Sequence, residues 1–144
     1  MSDMSLDAIS ALLARKYARG ETRFRSTDFR GAVDDLYTED ARYLTPRLQL
    51  LLGREEILAF FESLGGEIGE VKVFPLCLWG DPRGRVYQFC NTVRRAPGGG
   101  AVSHAHYFAA FRQVHGDWLC ELEVVSAGHI DLATASRCAA APRS

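Results

Sequence analysis

The first part of the chain carries apolar residues at helical spacing. In the opening stretch they stand at positions 6, 9, 12, 13 and 17, which predicts an amphipathic helix capped by Ser5 and continuing to Phe24. A second, shorter helix is expected after Thr27 or Asp28, either of which can cap it, and it should end at residues 38–40. The third part of this pattern comes later, after an extended segment.

That extended segment is predicted as a strand over 41–45, because Pro46 follows it and cannot donate to a strand ladder. Gly53 then begins the third helix, in which apolar residues recur at positions 57, 60, 61 and 64. The pair Gly65-Gly66 is expected to end this helix.

From residue 67 onward the hydrophobic period changes from helical to two. Strands are predicted over 67–79, 85–95, 101–114 and 118–127, joined by short turns, so they should form an antiparallel meander. Helices followed by strands indicate an α+β fold: three N-terminal helices packed on a strongly curved antiparallel sheet that forms a cone with an internal pocket. We expect one domain over 5–131 and a disordered tail over 132–144, which is rich in Ala, Pro, Arg and Ser.

Composition narrows the classes of partner. The chain has 144 residues, 47% of them hydrophobic and 24% charged, with a net charge of -1, so neither a nucleic-acid nor a membrane surface is indicated. The N-terminus lacks the apolar run of a signal peptide, and a cytoplasmic protein is expected. Four cysteines, Cys77, Cys90, Cys120 and Cys138, form no C-x-x-C pair, and reduced thiols are expected, with Cys138 exposed in the tail.

Three segments, 29–46, 52–61 and 115–121, carry a resemblance to a known family. They read FRGAVDDLYTEDARYLTP, LGREEILAFF and HGDWLCE. This pattern resembles the nuclear transport factor 2-like superfamily, which includes the SnoaL-type polyketide cyclases and the ketosteroid isomerases. The resemblance implies a cone that binds small hydrophobic molecules in its mouth and a homodimer formed through the outer face of the sheet. It does not imply one activity, because this scaffold hosts several.

The resemblance also implies positions for catalytic groups. The isomerase-like members place a carboxylate base before the proline that ends the first strand, and here that position is Thr45, which cannot accept a proton near neutral pH. Their oxyanion donor, a tyrosine on the first helix, corresponds to Tyr17, although Glu21 could take that place. Their acid on the penultimate strand is missing from the segment 106–108. The sequence therefore leaves open whether the protein is an enzyme.

His104 and His106 are the remaining candidates for acid–base chemistry. They share one strand face, and pairing about the 97–99 loop is expected to place Cys90 near His106 and Thr92 near His104. The predicted catalytic residues are His106, His104 and Tyr17. The predicted ligand-binding residues are Tyr43, Thr45, Phe60, Gln88, Cys90, Phe108 and Trp118. Two strand histidines are more often hydrogen-bonded or partly exposed than catalytic, and a register slip of one residue would turn both outward.

Several alternatives stay open. His129 and Asp131 could complete a metal site with the two histidines only through the fold, so no metal and no cofactor is assigned. Glu121 and Glu123 are expected on the outer, partly wet face of the sheet.

The favoured function is a small-molecule-binding protein or enzyme of isomerase, cyclase, dehydratase or hydrolase type. The alternative is a non-catalytic ligand-binding or dimerisation module.

Overall fold

The computed structural model describes residues 4–139, which contain four α-helices and a six-stranded sheet. The helices are α1 (Leu6–Arg25), α2 (Phe29–Leu36), α3 (Gly53–Leu64) and α4 (Leu132–Ala139). The strands are β1 (Tyr37–Leu44), β2 (Leu50–Leu52), β3 (Glu70–Gly80), β4 (Arg85–Arg95), β5 (Val102–Val114) and β6 (Asp117–Ala127). The predicted α+β class, with three helices preceding a long-stranded meander, is confirmed. No helix in this part of the chain is long and apolar enough to span a bilayer.

The sheet is open and mixed, with the strand order β2-β1-β6-β5-β4-β3. The meander from β3 to β6 is antiparallel as predicted, but β1 runs parallel to β6. The antiparallel arrangement is therefore confirmed for the meander, whereas the sheet as a whole is mixed. Each turn of the meander reverses the direction of the chain. β6 therefore runs opposite to β5, and this direction is the same as that of β1, its other neighbour in the sheet.

Side-chain caps define where the first two helices begin. The Ser5 hydroxyl accepts a hydrogen bond from the Ala8 amide at 3.1 Å, and the Asp28 carboxylate accepts one from the Gly31 amide at 3.0 Å. The second helix ends earlier than predicted, because Tyr37 is already extended and pairs with Cys120 of β6. Aromatic and β-branched residues favour strands, and here strand pairing overrides the helical pattern.

A β-bulge in β6 places neighbouring acids on opposite faces of the sheet. Ala110 pairs with Leu122 and Phe111 pairs with Cys120, so Glu121 is the extra residue. Glu121 consequently lies outside, where it forms an ion pair with Arg85. The interpretation of Glu121 and Glu123 as one outer face was wrong, since it assumed uninterrupted alternation and Glu123 in fact points into the cone.

The pairing of β4 with β5 differs by one residue from the expected register. Cys90 pairs with Tyr107 and Asn91 pairs with His106. The 96–101 loop closes with a hydrogen bond from the Ala96 amide to the Ala101 carbonyl at 2.9 Å, which fixes this register. Because side chains alternate, the shift moves both strand histidines to the outer face.

The segment predicted as a disordered tail forms α4 over its first eight residues, and residues beyond 139 lie outside the described part. The Asp131 carboxylate accepts a hydrogen bond from the Thr134 amide at 2.7 Å, which caps the helix. Cys138 forms a disulfide with Cys77 of β3, their Cα atoms 6.1 Å apart. The expectation of an exposed, reduced Cys138 was therefore wrong, because α4 returns to the sheet and brings the two thiols together.

Candidate functional site

A cavity opens between the concave face of the sheet and the three N-terminal helices. Its volume is about 110 Å³. That is somewhat smaller than a cavity of about 150 Å³ that holds benzene. The buried polar residues that line it are Lys16, Tyr17, Tyr37, Tyr43, Thr92, Tyr107 and Glu123. The half-exposed residues that line it are Gly20, Glu21, Phe61, Leu64, Ile68, Val71, Val73 and Arg94, together with Leu36. The wall is thus mostly apolar and aromatic, with a few polar groups.

Glu123 is a carboxyl group held inside this cavity, with only 6% of the residue exposed. The Tyr37 hydroxyl donates a hydrogen bond to its Oε1 at 2.9 Å. Burial raises the pKa of Glu123 to about 7, although hydrogen bonds from Tyr37 and Tyr43 and the charge of Arg94 act to lower it. Protonated and ionised forms are therefore both populated near neutral pH, as a general acid or base requires.

The tyrosines around Glu123 are neutral phenols. Burial raises the pKa of Tyr17, Tyr37, Tyr43 and Tyr107 above the usual value for tyrosine. The Tyr17 hydroxyl donates to Gln88 Oε1 at 2.5 Å, and the Tyr17 and Tyr107 rings meet edge to face with centroids 6.4 Å apart. A ligand in the cavity consequently meets phenol hydroxyl groups and ring faces rather than phenolates.

Three further charged residues line the cavity: Lys16, Glu21 and Arg94. Lys16 Nζ lies 2.8 Å from Asp117 Oδ2 and 3.8 Å from Asp35 Oδ1. The Glu21 carboxylate accepts a hydrogen bond from the Val73 amide at 2.8 Å. Two of the three are thus held by protein groups at fixed positions.

His104 and His106 do not lie in the cavity, contrary to the predicted catalytic role. The His106 Nδ1–H donates to the Gly128 carbonyl oxygen at 2.8 Å, and His104 Nδ1 lies 3.1 Å from His129 Nε2. The Asn91 amide makes two hydrogen bonds with the backbone of Ile130, at 2.8 and 2.9 Å. These contacts fasten residues 128–139, the C-terminal strap, across the outer face of the sheet. The two histidines lie on this outer face because β4 and β5 pair one residue away from the expected register.

Phe108 shares the outer face with the histidines and was also wrongly placed in the pocket. It stacks on Tyr87 with centroids 5.9 Å apart and contacts Phe89 and Trp79 at 5.7 and 6.1 Å. These four residues form the outer aromatic cluster. Trp79 is 37% exposed, so the cluster reaches solvent.

The remaining predicted site residues divide between the cavity and the core. Tyr17 and Tyr43 line the cavity. Gln88 and Cys90 face inward, but they lie behind Tyr17, with Cys90 Sγ 3.8 Å from its hydroxyl. The other three predicted ligand-binding residues are structural: Thr45 accepts a hydrogen bond from the Gln49 amide, Phe60 packs on the Tyr43 ring, and Trp118 is buried in the core.

Sequence reasoning missed Glu123, Tyr37 and Arg94 as pocket residues. The stretch Glu121-Leu122-Glu123 alternates as an ordinary half-exposed strand does, and nothing in it reports the bulge. Tyr37 was assigned to a helix end. One signal in the sequence could have placed Glu123 inside. It stands two residues before Val125, an apolar core residue, and residues two apart on a strand share one face.

Within residues 4–139, no group of three or more histidine, cysteine, aspartate or glutamate side chains is placed to hold a metal ion. His129 does meet His104, as the sequence left open, but Asp131 caps α4 instead of joining them.

Neither a family model nor a curated protein matches the sequence, whereas solved structures match the fold. An NTF-2-like protein of unknown function from Shewanella oneidensis has a TM-score of 0.71 at 10% identity, covering 81% of this chain and 98% of that one. A ketosteroid isomerase-like protein from Erwinia carotovora atroseptica has a TM-score of 0.64 at 17% identity, covering 83% and 96%. A putative scytalone dehydratase from Novosphingobium aromaticivorans has a TM-score of 0.63 at 13% identity, covering 85% and 89%.

Proposed function

The chain has the nuclear transport factor 2-like fold, and from that premise we propose that it is an enzyme that uses Glu123 as a general acid or base on a small, mostly apolar ring compound. The observation that carries the proposal is the position of Glu123. A carboxyl group that is 6% exposed, with a pKa of about 7, lies in a cavity walled by aromatic and apolar side chains. Titratable groups whose pKa is strongly shifted by burial inside a cavity are typical of functional sites.

The chemistry that fits is proton transfer at a carbon next to a carbonyl or a hydroxyl group. Ionised Glu123 would take a proton from such a carbon, and the resulting carboxylic acid would return it to another atom, as isomerisation, cyclisation and dehydration each require. Tyr37 holds the carboxyl group in place through its 2.9 Å hydrogen bond. Tyr17 and Tyr107 are neutral and line the same cavity. The hydroxyl hydrogen of Tyr17 is held by Gln88 Oε1, so these two residues offer a substrate their ring faces.

A generic carbon acid tests this role without knowledge of the natural substrate. We expect the protein to open the ring of 5-nitrobenzisoxazole, a bicyclic compound that releases a coloured phenolate when a base removes its carbon-bound proton. The rate should rise with pH, with a midpoint at about 7, because only ionised Glu123 is a base. The variant Glu123→Gln should lose roughly 100-fold in rate, the low end of acid–base contributions.

Glu121→Gln is the matched control for this experiment. It makes the same change two residues away, on the outer face, where the carboxylate contacts Arg85 rather than the cavity. Its rate should equal that of the unchanged protein. Equal rates for Glu123→Gln and the unchanged protein, or equal losses in the two variants, would contradict the proposal.

The outer aromatic cluster favours a second property, a homodimer formed through the outer face of the sheet. Trp79 and Phe74 are 37% and 48% exposed on β3, next to half-buried Phe89. Trp79→Ser should shift sedimentation from dimer to monomer, whereas Leu48→Ser, which changes an exposed leucine on the β1–β2 hairpin, should not. A monomeric unchanged protein would end this proposal.

A cytoplasmic location stays a prediction, and one feature weighs against it. The Cys77–Cys138 disulfide is favoured in an oxidising compartment, because cytosolic thiols are kept reduced.

A further inference from the structure

The charged residues that line the cavity differ in whether a protein group of opposite charge or a hydrogen-bond donor lies close to them. Lys16 is paired with Asp35 and Asp117, and Glu21 accepts a backbone hydrogen bond. For Arg94, no carboxylate oxygen of residues 4–139 lies within 4.0 Å of the guanidinium. Arg94 is therefore the cationic lining residue whose charge lacks a close anionic partner in the described part of the chain.

Strand geometry directs Arg94 into the cavity. It follows Thr92 on the inward face of β4, where it pairs with Val71 of β3, and it is half-buried among the lining residues. The Arg94 side chain acts to lower the pKa of Tyr43, which comes from β1 near the other end of the sheet, so the two side chains face the same space. Arg94 thus reaches across the cavity instead of extending into solvent.

The chemistry of the guanidinium group selects its partner. It is planar, always charged and forms two parallel hydrogen bonds with a carboxylate. Tyr43 is neutral and cannot balance the charge, and Glu123 balances it only when ionised. A ligand carboxylate can both accept the two hydrogen bonds and balance the charge.

We infer that the ligand of this cavity is a small cyclic carboxylic acid, bound with its carboxylate on the Arg94 guanidinium and its ring against Tyr43, Phe61 and Tyr107. The inference rests on the proposed function, since it concerns the same cavity and places the ring beside Glu123. It adds a substrate class, namely monoanionic ring acids, and assigns Arg94 as the residue that selects them.

The test compares benzoate with benzamide, which has the same shape and no charge. Calorimetry should show benzoate binding about tenfold more tightly than benzamide, the low end of what hydrogen bonds to a charged group contribute. In Arg94→Gln the preference for benzoate should disappear. In Arg94→Lys, which keeps the charge but loses the planar pair of donors, the preference should be intermediate.

Arg95→Gln is the matched control, since Arg95 is the next residue, exposed, and does not line the cavity. It should retain the full preference. Equal affinity for the two compounds in the unchanged protein, no saturable benzoate binding, or an unchanged preference in Arg94→Gln would each overturn the inference.

A second readout separates this inference from the proposed function. A bound carboxylate next to Glu123 favours the protonated side chain, so benzoate affinity should fall as the pH rises through about 7. Glu123→Gln should bind benzoate without this pH dependence. If 5-nitrobenzisoxazole turnover needs Glu123 while benzoate and benzamide bind equally, the acid–base role stands and the substrate class is wrong. If benzoate is preferred but Glu123→Gln retains full turnover, the opposite holds.

Discussion

The Tyr37 hydroxyl oxygen lies 2.9 Å from Glu123 Oε1. This contact joins β1 and β6, the first and last strands in chain order, inside the cavity. The two strands are parallel neighbours whose register shifts between Tyr37 and Arg42. On β6, the bulge at Glu121 turns Glu123 toward the same space. Two local irregularities therefore create the buried acid, and its behaviour can be tested in several ways.

The first prediction concerns stability and pH. The pKa of Glu123 is raised in the folded protein to about 7, from the ordinary glutamate value of 4.5. Between these values the folded state holds a proton that the unfolded chain has lost, so ionisation of the unfolded chain lowers the free energy of unfolding as pH rises. This effect amounts to about 3 kcal/mol above neutrality and vanishes in acid.

Glu123→Gln isolates that effect from other titrating groups. Relative to the unchanged protein, the variant should gain about 3 kcal/mol of stability between about pH 4 and pH 8. Urea denaturation at both pH values measures the difference. Glu121→Gln should show no such gain, and parallel pH profiles for Glu123→Gln and the unchanged protein would show that Glu123 is not buried as a neutral acid.

The second prediction concerns the role of Tyr37. Its hydrogen bond favours ionised Glu123, so Tyr37→Phe should move the pKa of Glu123 further upward. The midpoint of the pH–rate profile with 5-nitrobenzisoxazole should shift to higher pH, and stability should fall by about 1 kcal/mol. Tyr87→Phe removes a hydroxyl on the outer face and should leave the midpoint in place. A midpoint that moves to lower pH in Tyr37→Phe would show that the hydroxyl stabilises the protonated acid instead.

The third prediction concerns the disulfide that ties the C-terminal strap to β3. Cys77 and Cys138 are separated by 61 residues. Closing a loop of this size stabilises a protein by about 4 kcal/mol, so Cys138→Ser should lose roughly that amount. A reducing agent should lower the melting temperature of the unchanged protein and leave that of Cys138→Ser unaltered.

Hydrogen exchange locates the effect of the disulfide. Amides of residues 132–139 should exchange faster in Cys138→Ser, whereas those of β4 and β5, in the centre of the sheet, should keep their relative protection. Ser136→Ala, a substitution on the exposed side of α4, is the control and should change neither. Unchanged protection of α4 in Cys138→Ser would mean that the histidine and asparagine contacts hold the strap by themselves.

The fourth prediction concerns Lys16, which is 3% exposed. Its ammonium group donates to the Asp35 carbonyl at 2.6 Å and to Asp117 at 2.8 Å. Lys16→Met keeps the length of the side chain but removes both bonds, and it should cost about 2 kcal/mol, because a buried acceptor loses its partner. Arg19→Met removes an exposed partner of Asp35 and should cost about 0.5 kcal/mol. Equal losses in thermal denaturation would show that burial of Lys16 contributes nothing.

The site shows where sequence reasoning stopped. Tyr17 and Tyr43 were predicted to reach the pocket and do line the cavity, because Tyr17 lies in a regular helix and Tyr43 lies in the part of β1 that follows its irregularity. His104 and His106 were assigned to the wrong face by a register error of one residue, which a two-residue period converts into a complete inversion.

The sequence by itself determined the first three helices, the four strands of the meander and the fold class. Ser5, Asp28 and Gly53 mark helix starts that depend only on neighbouring residues, and the bounds 85–95 of β4 follow from period-two hydrophobicity between turn residues. Such signals are local, so they can be read along the chain. Only the tertiary structure decided that Glu123 points inward, that Arg94 faces it, and that Cys138 meets Cys77. Each of these depends on strand register, a bulge or the return of a distant segment, and those are set by long-range packing that no neighbouring residue encodes.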